Sequence, residues 1–117
     1  MVEVVVTEEF TAWYEDLSQE EQESVGQRVS QLEQAGVALP YPFSSGIIGS
    51  RFPLRELRIQ HAGEPYRVFY AFDPKRQAVL LIGGNKVGRD RFYEEMIPKA
   101  ERIWEEYLRE TGGIISR

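Results

Sequence analysis

Two arginines and a lysine carry the chemistry that this sequence most directly suggests. Arg58 and Arg67 flank Ala62-Gly63, a dipeptide suited to a hairpin turn, and each lies in a run rich in apolar residues. With that dipeptide as the turn, Leu57 faces Val68, Ile59 faces Tyr66 and Glu56 faces Phe69. Arg58 then lies directly across from Arg67, on the sheet face opposite the apolar pairs. A one-residue slip would pair Arg58 with Val68 and spoil both faces, so the periodicity supports this register. Like charges directly opposite each other destabilise a sheet, and a local rule broken in this way points to function. A bound polyanion resolves the conflict. So does neutralisation by Glu56 or Glu64, or splaying of both stems into water.

Lys86 follows Gly83-Gly84-Asn85 at the end of an apolar strand, where glycines let a backbone or ligand approach closely. Gly88-Arg89-Asp90-Arg91 leads into the last helix, so two arginines and free backbone N–H groups stand at a helix start, a favourable place for an anion. The Gly-Gly-Asn-Lys-Val-Gly run lacks the spacing of a P-loop. Phe69, Phe92 and Tyr93 are aromatics of the kind that stack bases beside basic groups. Phe92 reads as core, and Tyr93, pointing to another side of the helix, is the better site candidate. His61, the one histidine, lies at the hairpin turn. One histidine and no cysteine support neither a Cys–His site nor a conventional Ser–His–Asp triad, and zinc would need an unusual ligand set.

The elements that must position these groups follow from periodicity. Val2–Val6 is β-branched and reads as a strand. Phe10, Trp13, Tyr14 and Leu17 form one face of a short helix that Thr7 can cap. Ser18-Gln19-Glu20-Glu21 has capping-box spacing and opens a second helix with Val25, Val29 and Leu32 on its stripe and Gly36 as its stop. Residues 37–53, with three prolines, read as a loop or ragged edge with a short strand near Ile47–Ile48. Strands over Leu54–Gln60, Pro65–Phe72 and Ala78–Ile82 follow, the last apolar throughout and so expected to be central and covered on both faces. Phe92, Met96, Ala100, Ile103, Trp104 and Tyr107 make the stripe of a final helix, with a kink or break expected at Pro98 and an end at Gly112-Gly113. The order β-α-α-β-β-β-α suggests an α+β fold, a mainly antiparallel sheet with helices packed on one face and the other face open.

The chain has 117 residues, no cysteine and 12% aromatic residues, which fits one domain with a hydrophobic core and excludes a disulfide framework or thiolate metal site. No apolar run approaches the ~18 residues of a membrane span, and no N-terminal leader is expected. The net charge of -5 argues against nucleic acid on global grounds, but it is unevenly divided. Residues 1–50 have nine acidic groups against Arg28 alone, and residues 51–91 have nine basic groups against four acidic. An acidic helical pair therefore precedes a basic sheet.

Leu54-Arg55-Glu56-Leu57-Arg58-Ile59, Tyr66-Arg67-Val68-Phe69-Tyr70 and Leu80-Leu81-Ile82-Gly83-Gly84-Asn85-Lys86 resemble the RelE/ParE superfamily of bacterial toxins, in particular its RelE- and HigB-like members. Arg91 to Ala100 and on through Tyr107-Leu108 resembles the C-terminal helix of one branch. The resemblance implies a single RelE-like toxin domain over residues 1–117, with a tail from about residue 111. It implies a cytoplasmic, ribosome-dependent mRNA endoribonuclease that needs no metal or cofactor and no membrane. Its implied partners are the ribosome, mRNA and a cognate antitoxin of helix-turn-helix type. Arg67 would stabilise the phosphate, with Arg58, Lys86 and Tyr93 completing the catalytic set. Arg55, Arg89, Arg91 and His61 would contact RNA. Arginine at both 55 and 58 leaves no obvious general base, since guanidinium does not deprotonate at useful pH. Lys86, Tyr93 or His61 would need an altered pKa to serve. The alternatives are a ParE-like DNA gyrase inhibitor without nuclease chemistry, and a binding domain that has lost activity.

Overall fold

The computed structural model describes residues 1–112, so most of the expected C-terminal tail, from Gly113 on, lies outside the described residues. Its elements are β1 (Val4–Val6), α1 (Glu8–Glu15), α2 (Gln19–Ala35), β2 (Ser44–Gly46), β3 (Arg55–His61), β4 (Glu64–Phe72), β5 (Ala78–Asn85) and α3 (Phe92–Glu110). The five strands form one sheet in the order β1-β5-β4-β3-β2. Only the β1–β5 pairing is parallel.

The helix starts are where side-chain oxygens can satisfy free N–H groups. Thr7 Oγ1 accepts from Phe10 N at 3.0 Å and donates to Leu81 O at 2.7 Å, capping α1 while tying it to β5. Ser18 and Glu21 form a reciprocal capping box at the start of α2. Gly36, at φ 58°, ends that helix where a side chain would be strained. Tyr66 on β4 donates its hydroxyl to Glu21, pinning α2 to the sheet; this bond and burial push the phenol up to about 12.

The β3–β4 hairpin has the expected register: Leu57 faces Val68, Ile59 faces Tyr66 and Arg58 faces Arg67. Ala62 and Gly63 both have positive φ, 51° and 79°, as a tight hairpin turn with the right twist requires. The short strand expected near Ile47–Ile48 instead occupies Ser44–Gly46, where it pairs with Leu57, Glu56 and Arg55. Ile47 N adds one further bond to Leu54 O, and Ile48 then turns out into solvent.

The α+β class, element order and mainly antiparallel sheet are as expected, and α1 and α2 share one face. Phe10, Val25 and Leu32 pack there on Leu57, Ile59, Val68 and Leu80. The opposite face is not open: α3 covers it, packing Phe92, Met96, Ala100 and Trp104 on Phe69, Ala71, Val79 and Leu81. Apolar residues on both faces of β4 and β5 require that second layer. Pro98 does not break α3. It lies on the exposed side, where water can take up the carbonyl it leaves free, while Met96 and Ala100 hold both halves of the helix to the sheet.

A bulge in β5 sets the aim of its last residues. The β4–β5 register shifts between Phe69 and Tyr70, leaving Leu81 unpaired. After it the faces exchange parity, so Gly83 meets Trp13 of α1 and Gly84 meets Phe92 of α3. The two glycines therefore admit aromatic side chains of the protein itself. At the far end, Asp73 accepts from Gln77 N at 2.8 Å and Tyr107 OH at 2.8 Å, joining the β4–β5 turn to α3.

A Cβ at Gly83 would lie 2.4 Å from two atoms of the Trp13 ring. Gly83→Ala should destabilise the protein by about 2 kcal/mol, read as a lower urea midpoint, and should cost much less in a Trp13→Ala background. Burial pushes the Asp73 carboxyl up, but hydrogen bonds from Gln77, Tyr107 and Lys75 outweigh it and hold its pKa below the usual value. The unfolded chain thus binds this proton first as pH falls. The stability Asp73 contributes is full above the ordinary carboxylate pKa and is lost on descending through the folded one. Asp73→Asn should flatten that acid limb in thermal melts taken across pH 2 to 6 (values on the order of the aspartate range).

Candidate active site

The arginine pair is held by its own strands and neutralised in part by one buried carboxylate. Alternation along β3 puts Glu56 on the same face as Arg58, toward α3. Glu56 is 4% exposed and Arg67 5%. Glu56 Oε2 accepts from Arg58 Nη1 at 3.1 Å and from Ser45 Oγ on β2 at 2.9 Å. Its Oε1 accepts from Tyr93 OH on α3 at 2.6 Å and lies 3.6 Å from Arg67 Nε. Of the two acids weighed as neutralisers, Glu56 takes the role, whereas Glu64 accepts from Asn85 Nδ2 at 2.7 Å.

Arg67 donates Nη1 to Tyr66 O at 3.1 Å, yet its buried Nε has no hydrogen-bond partner among the described residues. Its nearest acceptor is Glu56 Oε1 at 3.6 Å, so this nitrogen is held by charge attraction and not by a hydrogen bond, an arrangement that is costly for a buried donor. Arg58 is steadied from behind: Arg28 Nε on α2 donates to its carbonyl at 2.8 Å, and its N–H donates to Phe43 O at 2.9 Å. Its guanidinium lies 5.2 Å from the ring centroid of Tyr41.

Tyr93 packs edge-on against Phe69, at 6.2 Å between centroids. Lys86 Nζ sits 5.4 Å from the Tyr93 ring centroid, close enough for cation–π attraction. Burial pushes the Tyr93 phenol up, and its bond to Glu56 adds to that, while Arg67 pulls the other way; the net shift is upward. The hydroxyl therefore stays protonated through the neutral range. Arg58, Arg67, Lys86 and Tyr93 are thus brought together, with Glu56 among them.

The other candidates lie elsewhere. Arg55 has the opposite parity and turns to the α1/α2 face, donating Nε to Ser44 Oγ at 3.2 Å and Tyr70 OH at 3.4 Å. His61 shares that face, its Nδ1 2.7 Å from Ser24 Oγ on α2. Arg89 pairs with Glu95 at 2.5 Å and Arg91 with Glu94 at 2.7 Å, so both arginines at the start of α3 are engaged by that helix's own acids. Phe69 and Phe92 are core. Glu56, expected only as a possible neutraliser, joins the site together with Ser45 and Tyr41, which were not among the sequence-derived candidates. Strand parity marked Glu56; nothing in the loop before β3 marked the other two.

Removing one partner of a buried charge cluster leaves the rest uncompensated. Glu56→Gln should cost about 3 kcal/mol in urea unfolding, and inorganic phosphate should restore more stability to this variant than to the wild type.

The sequence pattern of the phage-derived Gp49-like family (DUF891) matches residues 12–105. A protein of Mycobacterium tuberculosis (strain ATCC 25618 / H37Rv), named as candidate toxin HigB2, is 38% identical over 104 residues, which is 86% of this chain and 52% of the relative. A second, named as candidate toxin HigB3 of the same strain, is 35% identical over 112 residues, covering 94% of this chain and 96% of the relative. The chain thus spans about half of the first relative and nearly all of the second. With an α+β fold of the expected order, this chain belongs to the Gp49-like family and to the HigB-type toxins of toxin–antitoxin systems.

Proposed function

We propose that the protein is a metal-independent endoribonuclease that cuts mRNA on the ribosome and so inhibits translation. It acts in the cytoplasm and is held in check by a cognate antitoxin of helix-turn-helix type. The observation that carries this reading is the partly exposed Arg58 set beside the buried Arg67, with Tyr93 and Lys86 next to them and Glu56 bonded to both Arg58 and Tyr93. Two guanidiniums fixed side by side suit the extra negative charge that a phosphate gains when it is attacked.

Cleavage by the strand's own 2′-OH needs a base, charge stabilisation and an acid. The 2′-oxygen attacks the adjacent phosphorus. Its proton passes to the Tyr93 oxygen as the Tyr93 proton passes to Glu56, along the 2.6 Å bond already present. Arg58 and Arg67 stabilise the phosphorane. The bond from phosphorus to the 5′-oxygen then breaks, and Lys86 gives that oxygen a proton. The products are a 2′,3′-cyclic phosphate and a 5′-hydroxyl, and solvent returns the proton from Glu56 to Lys86. This route uses a carboxylate as the terminal base and asks no arginine to deprotonate.

A ribosome-dependent primer-extension assay tests the reading. Arg67→Ala should lower the cleavage rate roughly 100- to 1,000-fold. Tyr93→Phe should do the same with unchanged binding, because it removes the relay but keeps the ring. Full cleavage by both variants would overturn the site. Intact mRNA together with a DNA-damage response on induction of the wild type would replace this reading with gyrase inhibition.

A further inference from the structure

Beside the arginine pair, β2, the residues just after it and the start of α3 enclose a cavity of about 360 Å³. It is lined by Ser45, Gly46, Ile47, Ile48, Glu56 and Tyr93. Its volume is that of a small-ligand pocket, and its walls combine apolar side chains with a few polar groups, as such pockets do. Two of those polar groups, Glu56 and Tyr93, are also members of the charged cluster. The cavity and the arginine pair are therefore two parts of one surface.

The apolar wall is unusual in its exposure. Ile48 is 93% exposed although it stands at the rim of a cavity. Single exposed hydrophobics are ordinary, and Met1, Val6 and Val37 are further examples here. Of the large apolar residues exposed among the described residues, Tyr41 lies against Arg58, Ile48 at the cavity and Val87 next to Lys86. Apolar and aromatic surface around a cationic site is what a single nucleic-acid strand needs, since phosphates and bases must be met together. A protein partner would find the same apolar surface. Glu56 is the one charged residue of the cavity lining. The cations Arg58, bonded to it, and Lys86, over the Tyr93 ring, stand beside the cavity and favour a polyanion there. Tyr93 gives the lining its aromatic ring.

We propose that this cavity receives a nucleobase next to the phosphate held by Arg58 and Arg67, packed between Tyr93 and Ile48 with its polar edge toward Ser45. The inference rests on the RNA reading for the identity of that phosphate. It makes Ile48 a specificity-determining residue outside the catalytic set. Arg67 contributes phosphate affinity that is the same for every sequence, whereas Ile48 contributes affinity that depends on the base.

Trinucleotides with 2′-O-methyl groups throughout, which cannot be cleaved, separate the two. Each carries 2-aminopurine at one of its three positions, and binding is read by fluorescence quenching. The wild type should quench one position far more than the others. Ile48→Ala, at an exposed position that leaves the core intact, should bind that trinucleotide about 5- to 10-fold more weakly, on the scale of one or two lost methylene contacts, and should flatten preference among bases. Arg67→Ala should weaken every trinucleotide alike and keep the preference. Absent or equal quenching at all positions, or an Ile48→Ala variant with unchanged affinity and preference, would overturn the proposal. So would loss of antitoxin binding in Ile48→Ala with RNA binding unchanged, which would assign the cavity to a protein. Position-specific quenching by a wild type that leaves ribosome-bound mRNA uncut would support the pocket and overturn the nuclease reading.

Discussion

The placement of Arg58 opposite Arg67 is tolerable only because the Glu56 carboxylate lies between them. At about 4 Å, two unit charges near a protein surface interact by roughly 4 kcal/mol. Glu56 sets two attractions of that kind against one repulsion. Its burial then requires further donors, and these come from outside the hairpin: Ser45 from β2 and Tyr93 from α3. One carboxylate thus draws an edge strand and the last helix to a single point. The cluster is not fully satisfied, because Arg67 Nε still lacks a hydrogen bond. Glu56 holds that nitrogen at 3.6 Å by charge alone, so the cluster is not the one that stability by itself would select.

The rest of the fold serves that point from both sides of the sheet. Behind it, Arg28 anchors α2 to the carbonyl of Arg58, so the one basic residue of the first 50 is structural. In front, α3 must lie close enough for Tyr93 to reach Glu56. Gly84 allows this: a side chain there would meet Phe92 at 3.0 Å. The bulge at Leu81 is what turns Gly84 toward α3. Without it the end of β5 would present the other parity, with Gly83 under the helix and Lys86 displaced to the wrong face.

Local patterns made much of this legible. The hairpin register, the two helix caps and the Arg58–Arg67 opposition all depend on short-range spacing, and all are present as expected. What depended on docking was harder to read. The residues that bind Glu56 come from β2 and α3, and nothing in either segment states where it will pack. Two further placements had a readable signal. Arg55 and His61 share parity with Leu57 and Ile59, so their turning to the α1/α2 face follows from the same alternation that fixed Arg58. The covered second face was likewise written in Phe69, Ala71, Val79 and Leu81, which have no reason to be apolar on an open surface.

The net charge of -5 takes on a different meaning once the acids are placed. Glu20 and Glu23 lie exposed on α2, on the side of the sheet away from the arginine pair. The last helix adds its own acids, Glu94 and Glu95 among them, so the basic groups form a local patch around Arg58 and Lys86 and not a basic side of the molecule. Such a patch does not supply affinity, because free RNA gains by neutralising many phosphates at once, and here the approachable cations are few. Arg89 and Arg91 are paired within α3, and Arg67 is buried. On the proposed reading, binding comes from short-range contacts that a correctly placed strand can make. A strand already fixed in extended form avoids the entropy of being captured and oriented. On the proposed reading, an acidic protein with few approachable cations suits such a strand better than RNA free in solution.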